Sequence, residues 1–242
     1  MERIEPRQAK IPGPPAADSE RKFVGGMELE GFASAWLGHA CLKDSAFPEG
    51  TVSSVYYDTP ALDLYGEKAN GDFQKTKCRL RWYDPDVAPD PRRRAAFLEI
   101  KRRTGERRGK ARMRIDLERD WLDSADLDDP GFQDLLARCS PALEPSLPLN
   151  LAASAVIRYH RHRFVCPFTM GRVCLDTSIS LGRTNRSLLP HLGHVVIPSA
   201  VIEIKGDAGA DIPWLGALYK AGFRKRSFSK YGACMGRLLG KD

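Results

Sequence analysis

The chain has 242 residues, enough to bury a sizeable core in one large domain or two small ones, and one is favoured here. Its 38 Lys and Arg against 31 Asp and Glu give a net charge of +7, which suits an anionic ligand such as nucleic acid, nucleotide, polyphosphate or a membrane surface without choosing among them. Six cysteines (Cys41, Cys78, Cys139, Cys166, Cys174, Cys234) with no CxxC pair, no apolar run of about 18 residues and no apolar signal core lead to an expectation of free thiols in a soluble, cytoplasmic protein.

In chain order, Met1 to Ser19 carries four prolines and no apolar period, and reads as a flexible leader before a single domain spanning 20–242. A short strand follows at Glu20 to Val24. Glu28 to His39 places Leu29, Phe32, Ala33, Trp36 and Leu37 at helical spacing, which predicts a helix packed outside a sheet. Thr51 to Thr59 is β-branched and aromatic and stops at Asp58-Thr59-Pro60. Glu67 to Lys75 reads as a connector, and Asp84 to Arg94, with three prolines, as a loop. A short helix lies between Trp121 and Cys139, after which Pro141, Pro145 and Pro148 break the chain and suggest a boundary between repeat-like halves. Ala155 to Val165 and Arg172 to Ile179 form a hairpin about Pro167 to Gly171. A loop from Gly182 to Gly193 leads to a strand at Val201 to Asp207, then helices at Trp214 to Ala221 and Lys230 to Leu239. The total is about eight to ten strands with few helices.

Charge is sorted along these strands. Successive side chains in a strand face opposite sides, so Arg79 and Arg81 share one face while Cys78, Leu80 and Trp82 share the other. The same alternation groups Glu99, Lys101 and Arg103, and groups Lys110, Arg112 and Arg114. Such a pattern fits an open antiparallel sheet with one wet face, or a closed barrel with a charged lumen that would hold a polyanion. An E-x-K pattern recurs at Glu99/Lys101 and Glu203/Lys205. No P-loop or dinucleotide fingerprint occurs, so any nucleotide must be held by its phosphates. His160 and His162 form an H-x-H pair with no third ligand at a useful spacing and with Arg161 and Arg163 beside them, and a packing or surface role is expected. Arg92 to Arg94 and Arg107 to Arg108 are expected in loops, as solvated surface.

The strings SVYYDT, YGEK, RLRWYD, FLEIK, YHRHRF, VCLDTSI, VIEIK and FSKYG occur in that order. Together they resemble the VTC domain, the polyphosphate polymerase branch of the triphosphate tunnel metalloenzyme (CYTH-like) superfamily, over Glu20 to about Arg237. The resemblance implies an α+β fold: an antiparallel β-barrel, the triphosphate tunnel, with helices packed outside. It implies transfer of the terminal phosphoryl group of ATP onto a polyphosphate chain, with Mn²⁺ or Mg²⁺ as the ion. Carried over residue by residue, it implies phosphate contacts from Lys22, Lys68, Arg79, Arg81, Lys101, Arg161, Arg172 and Lys230, the last six also serving catalysis. Lys68 stands where the family usually has Arg. Glu203 matches the acidic metal ligand, and Glu99 is a second candidate whose plainer role is an ion pair with Lys101 or a neighbouring Arg. Arg grips two phosphate oxygens with its planar fork, whereas Lys acts as a point charge. Phosphoryl transfer asks for such positioning and charge neutralisation more than for covalent work. Asp176 shares strand parity with Arg172 and is expected to pair with a lumen cation, and Tyr159 to support Arg161 or fill the barrel wall.

Two departures qualify the resemblance. Ser227 occupies a position where the family often has Lys. Asp18-Ser-Glu20-Arg-Lys22 is a degenerate form of the E-x-E-x-K start of the hydrolytic branch, so a hydrolase of tripolyphosphate or an organic triphosphate stays open, as does a non-enzymatic polyphosphate-binding module. The expected partners are ATP and polyphosphate, with no specific nucleic acid. Any export of product would need a separate membrane protein.

Overall fold

Eleven antiparallel strands and six helices make up the computed structural model, which describes residues 19–85, 90–144, 147–148, 150–189, 195–206 and 211–241. Apart from Ser19, the expected leader lies outside the described residues. The elements run β1 (Ser19–Gly26), α1 (Glu30–Ala40), β2 (Leu42–Lys43), β3 (Glu49–Asp58), α2 (Asp63–Ala69), β4 (Gln74–Asp84), β5 (Arg93–Thr104) and β6 (Arg107–Glu118). They continue with α3 (Arg119–Ser124), α4 (Pro130–Leu143), β7 (Ala152–Val165), β8 (Arg172–Thr184), β9 (Val195–Val196), β10 (Ser199–Gly206), α5 (Leu215–Ala221), β11 (Arg224–Lys225) and α6 (Lys230–Leu238). Paired strands follow the order β11-β1-β10-β8-β7-β3-β4-β5-β6, with β2 added to β7 and β9 to β8.

Among the described residues no ladder joins β11 to β6, so the hydrogen-bonded path has two ends. The sheet is nonetheless strongly curled. Lys101 on β5 and Lys110 on β6 both lie close enough to Lys205 on β10 to feel its charge. Lys77 on β4 donates to Ser229 Oγ beside α6 at 3.2 Å. Register fixes what lines this concavity: Tyr56 faces Arg79, Ser54 faces Arg81, Arg79 faces Glu99, and Lys22 faces Glu203. One residue of slip would turn every one of these charges into the apolar layer behind them.

Two apolar layers back the convex face. Cys78, Leu80, Trp82, Leu98 and Ile100 pack with Leu122 of α3 and Phe132, Leu135 and Leu136 of α4. Phe23, Val173, Leu175, Ile202 and Ile204 pack with Ala33 and Leu37 of α1 and Leu215 and Leu218 of α5. The expected packing of helices on the outside holds for these four. A side chain such as Leu37, wholly buried, contributes about 1.5–3 kcal/mol. A third apolar cluster lies on the concave side, where Tyr231, Cys234, Met235 and Leu238 of α6 pack on Tyr56, Ile157, Tyr159 and Val201. Helix α6 therefore fills one end of the concavity.

Two local expectations are corrected. The connector at Glu67 to Lys75 contains the end of α2. Strand β3 stops at Asp58 as expected, and the buried carboxylate there also ties down the turn into α2: it accepts from the N–H groups of Thr59, Leu64 and Tyr65, and Thr59 Oγ accepts from Asp63 N. Arg94 is no solvated loop residue, because it is buried in β5 with its guanidinium bound to Asp84 at 2.7 Å and Asp123 at 2.8 Å. The tight turn between β5 and β6 places Gly105 at φ 59°, a left-handed geometry that favours glycine. All six thiols are free. Among the described residues no helix is long and apolar enough to cross a membrane.

Candidate functional site

Two buried carboxylate centres occupy the concave face. The first is Glu99, 4% exposed, on β5. Arg79 donates to its Oε2 from Nε at 2.8 Å and from Nη2 at 2.6 Å, with Arg81 at 3.8 Å and Arg112 of β6 at 3.4 Å. Burial would raise the Glu99 carboxyl, but Arg79, Arg81 and Arg112 hold it far below the usual carboxylate range. Arg79 Nη1 also donates to the Tyr56 hydroxyl at 3.3 Å, Arg81 Nε donates to Ser54 Oγ at 3.1 Å, and Arg112 lies over the Phe97 ring. Burial alone would raise the Tyr56 hydroxyl, yet Arg79, Lys77 and Arg81 pull it down to about 7.

The second centre joins Glu203 of β10 with Asp176 of β8. Arg161 grips Asp176 through Nε at 2.6 Å and Nη2 at 2.7 Å, and its Nη2 also donates to Glu203 at 2.9 Å. Lys230 Nζ sits 2.5 Å from Asp176 and 3.1 Å from Glu203, above the Tyr159 ring. Lys22 Nζ lies 3.5 Å from Glu203 and 3.0 Å from Glu20, and donates to the Phe228 carbonyl at 2.9 Å. Against the effect of burial, Lys230, Arg161 and Lys22 hold the Glu203 carboxyl well below its ordinary range. Ser229 explains the place of Lys230: its hydroxyl accepts from Gly232 N as the N-cap of α6, which makes Lys230 the first helical residue and aims it inward.

The remaining expected residues divide. Lys101 projects into the concavity and its ammonium makes no hydrogen bond or ion pair among the described residues; burial, then Arg79 and Lys205, push it down to about 7. Lys68, on the last turn of α2, reaches across to Ser227 Oγ at 2.8 Å. Arg172 begins β8 with concave parity but is exposed, and no bond ties it to either centre. Sequence reading left out Lys77, Lys110, Arg112, Tyr56 and Lys205 as site residues. Lys77 is the most telling, since burial, reinforced by Arg79, Lys22 and Lys230 and offset by Tyr56, brings its ammonium to about 8. Its signal was present, because Lys77 shares the parity of Arg79 and Arg81.

The donors of the second centre are all oxygens. Glu20 and Glu203 come from adjacent strands with Lys22 between them; burial and Glu203 would raise the Glu20 carboxyl, but Lys22 holds it below its ordinary range. A pair of ionised carboxylates in a phosphate-attracting cavity fits a hard divalent ion, which takes one or two carboxylates and completes its shell with phosphate and water. Glu99, with three arginines about it and no carboxylate sharing them among the described residues, fits an ion less well.

Comparison with protein families matches the VTC domain over residues 39–239. Among solved structures, a candidate adenylate cyclase of Bacillus halodurans superposes with a TM-score of 0.49 at 15% identity, covering 88% of this chain and 94% of its own. A candidate adenylyl cyclase of Hippeastrum, described as having a dominant triphosphatase activity, superposes with a TM-score of 0.48 at 14% identity, covering 91% and 96%. Comparison with curated proteins returns no match.

Proposed function

Since the chain belongs to the VTC domain family, we propose that it is a metal-dependent polyphosphate polymerase which transfers the terminal phosphoryl group of ATP onto a polyphosphate chain within the concave face. The observation that carries this reading is the meeting of the Glu203–Asp176–Arg161–Lys230–Lys22 network with the Glu99–Arg79–Arg81 centre in one cavity. Such cations are held in place before substrate arrives, so they reorganise little as charge develops on the transferring group. An oxygen of the polyphosphate terminus forms the new bond to the γ-phosphorus, the bond from that phosphorus to the β,γ-bridging oxygen breaks, and ADP leaves with that oxygen.

Arg79, Arg81 and Arg161 grip phosphate oxygens in this reading, and Lys22, Lys77, Lys101 and Lys230 neutralise the remaining charge. Lys68 and Arg172 guide the polyanion at the rim. Glu203 and Glu20 would hold the divalent ion, Mn²⁺ or Mg²⁺, which would supply charge neutralisation for the transferring phosphates. The α6 plug argues for entry of ATP and polymer from the opposite end. Purified protein incubated with ATP and Mn²⁺ is expected to yield ADP and long-chain polyphosphate; no polymer under varied priming overturns the proposal.

The contact of Glu20 with Lys22 and its approach to Glu203 favour a second reading, hydrolysis of tripolyphosphate or an organic triphosphate. Phosphate release from tripolyphosphate without polymer, abolished by Glu20→Gln, supports that alternative. A binder without activity would retain tripolyphosphate in both assays and turn over neither substrate.

A further inference from the structure

The convex face holds a separate cluster. His160 and His162 alternate on β7 and point away from the concavity, because Tyr159 and Arg161 point into it. Opposite them, β3 places Glu49 in register with His162 and Thr51 in register with His160. Glu49 Oε2 lies 3.1 Å from His162 Nδ1 and 3.8 Å from His160 Nε2, and one donor atom from each of the three residues lies within 4.8 Å of the other two. The two imidazoles meet edge to face with ring centres 4.7 Å apart. A third ligand is thus present, contrary to the expectation from spacing, which sees only neighbours on the same strand.

The backbone around this cluster is fixed. Arg163 N donates to the Pro48 carbonyl at 2.7 Å, Asp44 N donates to the Arg163 carbonyl at 3.0 Å, and Asp44 Oδ1 accepts from Ala46 N and Phe47 N. The loop into Glu49 is therefore tied to the strand that carries both histidines. Around a Zn²⁺ ion with ligand bonds of about 2.0–2.1 Å, tetrahedral donors stand roughly 3.3 Å apart. The distances above bracket that spacing, and Glu49 is exposed enough to adjust.

We propose that Glu49, His160 and His162 form a binding site for a borderline transition-metal ion of the Zn²⁺ class, with water completing its shell. Two nitrogens and one carboxylate oxygen select such an ion over Mg²⁺ or Mn²⁺, whereas the all-oxygen concave centre selects the reverse. The ion bridges β3 and β7, the two strands at the middle of the sheet, from the side opposite the candidate active site.

The test uses tag-free full-length protein in excess Mg²⁺, titrated calorimetrically with Zn²⁺, and with Co²⁺ as a visible-absorption probe. One Zn²⁺ per chain and the intense visible bands of four-coordinate Co²⁺ are expected. Glu49→Gln should weaken binding about tenfold or more, and the double change His160→Ala with His162→Ala should abolish it. Absence of Zn²⁺ binding to the unaltered chain overturns the proposal. So does binding undiminished in the double variant, which would place the ion on the concave carboxylates or the thiols. Thermal unfolding of the metal-free variants, expected to be unchanged, separates ligand loss from misfolding. None of these readouts depends on phosphoryl transfer, so the outcome is independent of the function proposed above.

Discussion

The two carboxylate centres of the concave face look alike in charge and differ in composition. Around Glu99 the cations are arginines, Arg79, Arg81 and Arg112, and both carboxylate oxygens are engaged within the β4–β5–β6 meander. Around Glu203 and Asp176 a single arginine works with two lysines, the partners come from β1, β7, β8, β10 and α6, and Glu20 adds a further carboxylate at the edge. The arginine centre is a fixed wall whose guanidiniums cannot lose their charge. The lysine centre engages both oxygens of Glu203 and of Asp176 as well, but its lysines are rotatable point charges that can turn to an arriving phosphate. The difference teaches that one glutamate chiefly orients its cations, while the other is placed to share them with a ligand.

The largest expected effect breaks the first wall. Glu99→Gln leaves Arg79 and Arg81 buried against a neutral amide and should cost about 3–5 kcal/mol of stability. Denaturant unfolding measures it, and added tripolyphosphate should restore more stability to this variant than to the parent chain. A variant as stable as the parent without ligand would show that the wall needs no carboxylate. Next, Glu203→Gln should lower phosphoryl transfer about a hundredfold or more, with a weaker dependence on Mn²⁺. Retention of full activity would remove the enzyme reading.

A third effect concerns pH and belongs to neither centre. Lys101 holds its proton less tightly in the fold, with a value of about 7, than in the unfolded chain. The unfolded state therefore binds more protons between about pH 7 and the ordinary lysine range near pH 10.4. Ligand-free stability should rise with pH across that window, and below it the cost of the charged ammonium is fully present. Tripolyphosphate binding should take up a proton above pH 7, seen as a dependence of calorimetric heat on buffer ionisation. Lys101→Met should reduce both dependences, leaving the part owed to Lys77 and Tyr56. The smallest effect lies at the rim, where Lys68→Ala should weaken polyanion binding about two- to fivefold, in keeping with a half-exposed cation. A larger loss would move Lys68 from the rim into the site.

Much of this was legible in the chain. Period-two sorting of charge located the concave faces of β4, β5 and β6, and the family resemblance added Lys22, Glu203 and Lys230. Even the E-x-K recurrence, weak as a signal, marks both centres: Glu99 and Glu203 each anchor one. What was not legible depended on partners distant in sequence. Nothing local distinguishes Arg94, which Asp84 and Asp123 bury, from the exposed Arg92. The capping role of Asp58 required a turn of chain after Pro60, and its fourth partner, the Tyr231 hydroxyl at 2.7 Å, comes from α6. Glu49 meets the histidines only because β3 lies beside β7. Arg172 shows the reverse limit, since a matching string does not guarantee that a side chain reaches the cluster.

The bond from Lys22 to the Phe228 carbonyl has a consequence for assembly order. Its ends are 206 residues apart, whereas Arg79 and Glu99 are 20 apart. At about 5–20 residues per second, the longer separation corresponds to roughly 10–40 s of ribosomal synthesis. The β3–β4–β5 meander can therefore form and orient its arginines while β1 still waits for β10, β11 and the start of α6. Contacts so distant close late, because chain entropy must be overcome before they give anything back. The lysine half of the face is consequently among the last parts of the protein to close.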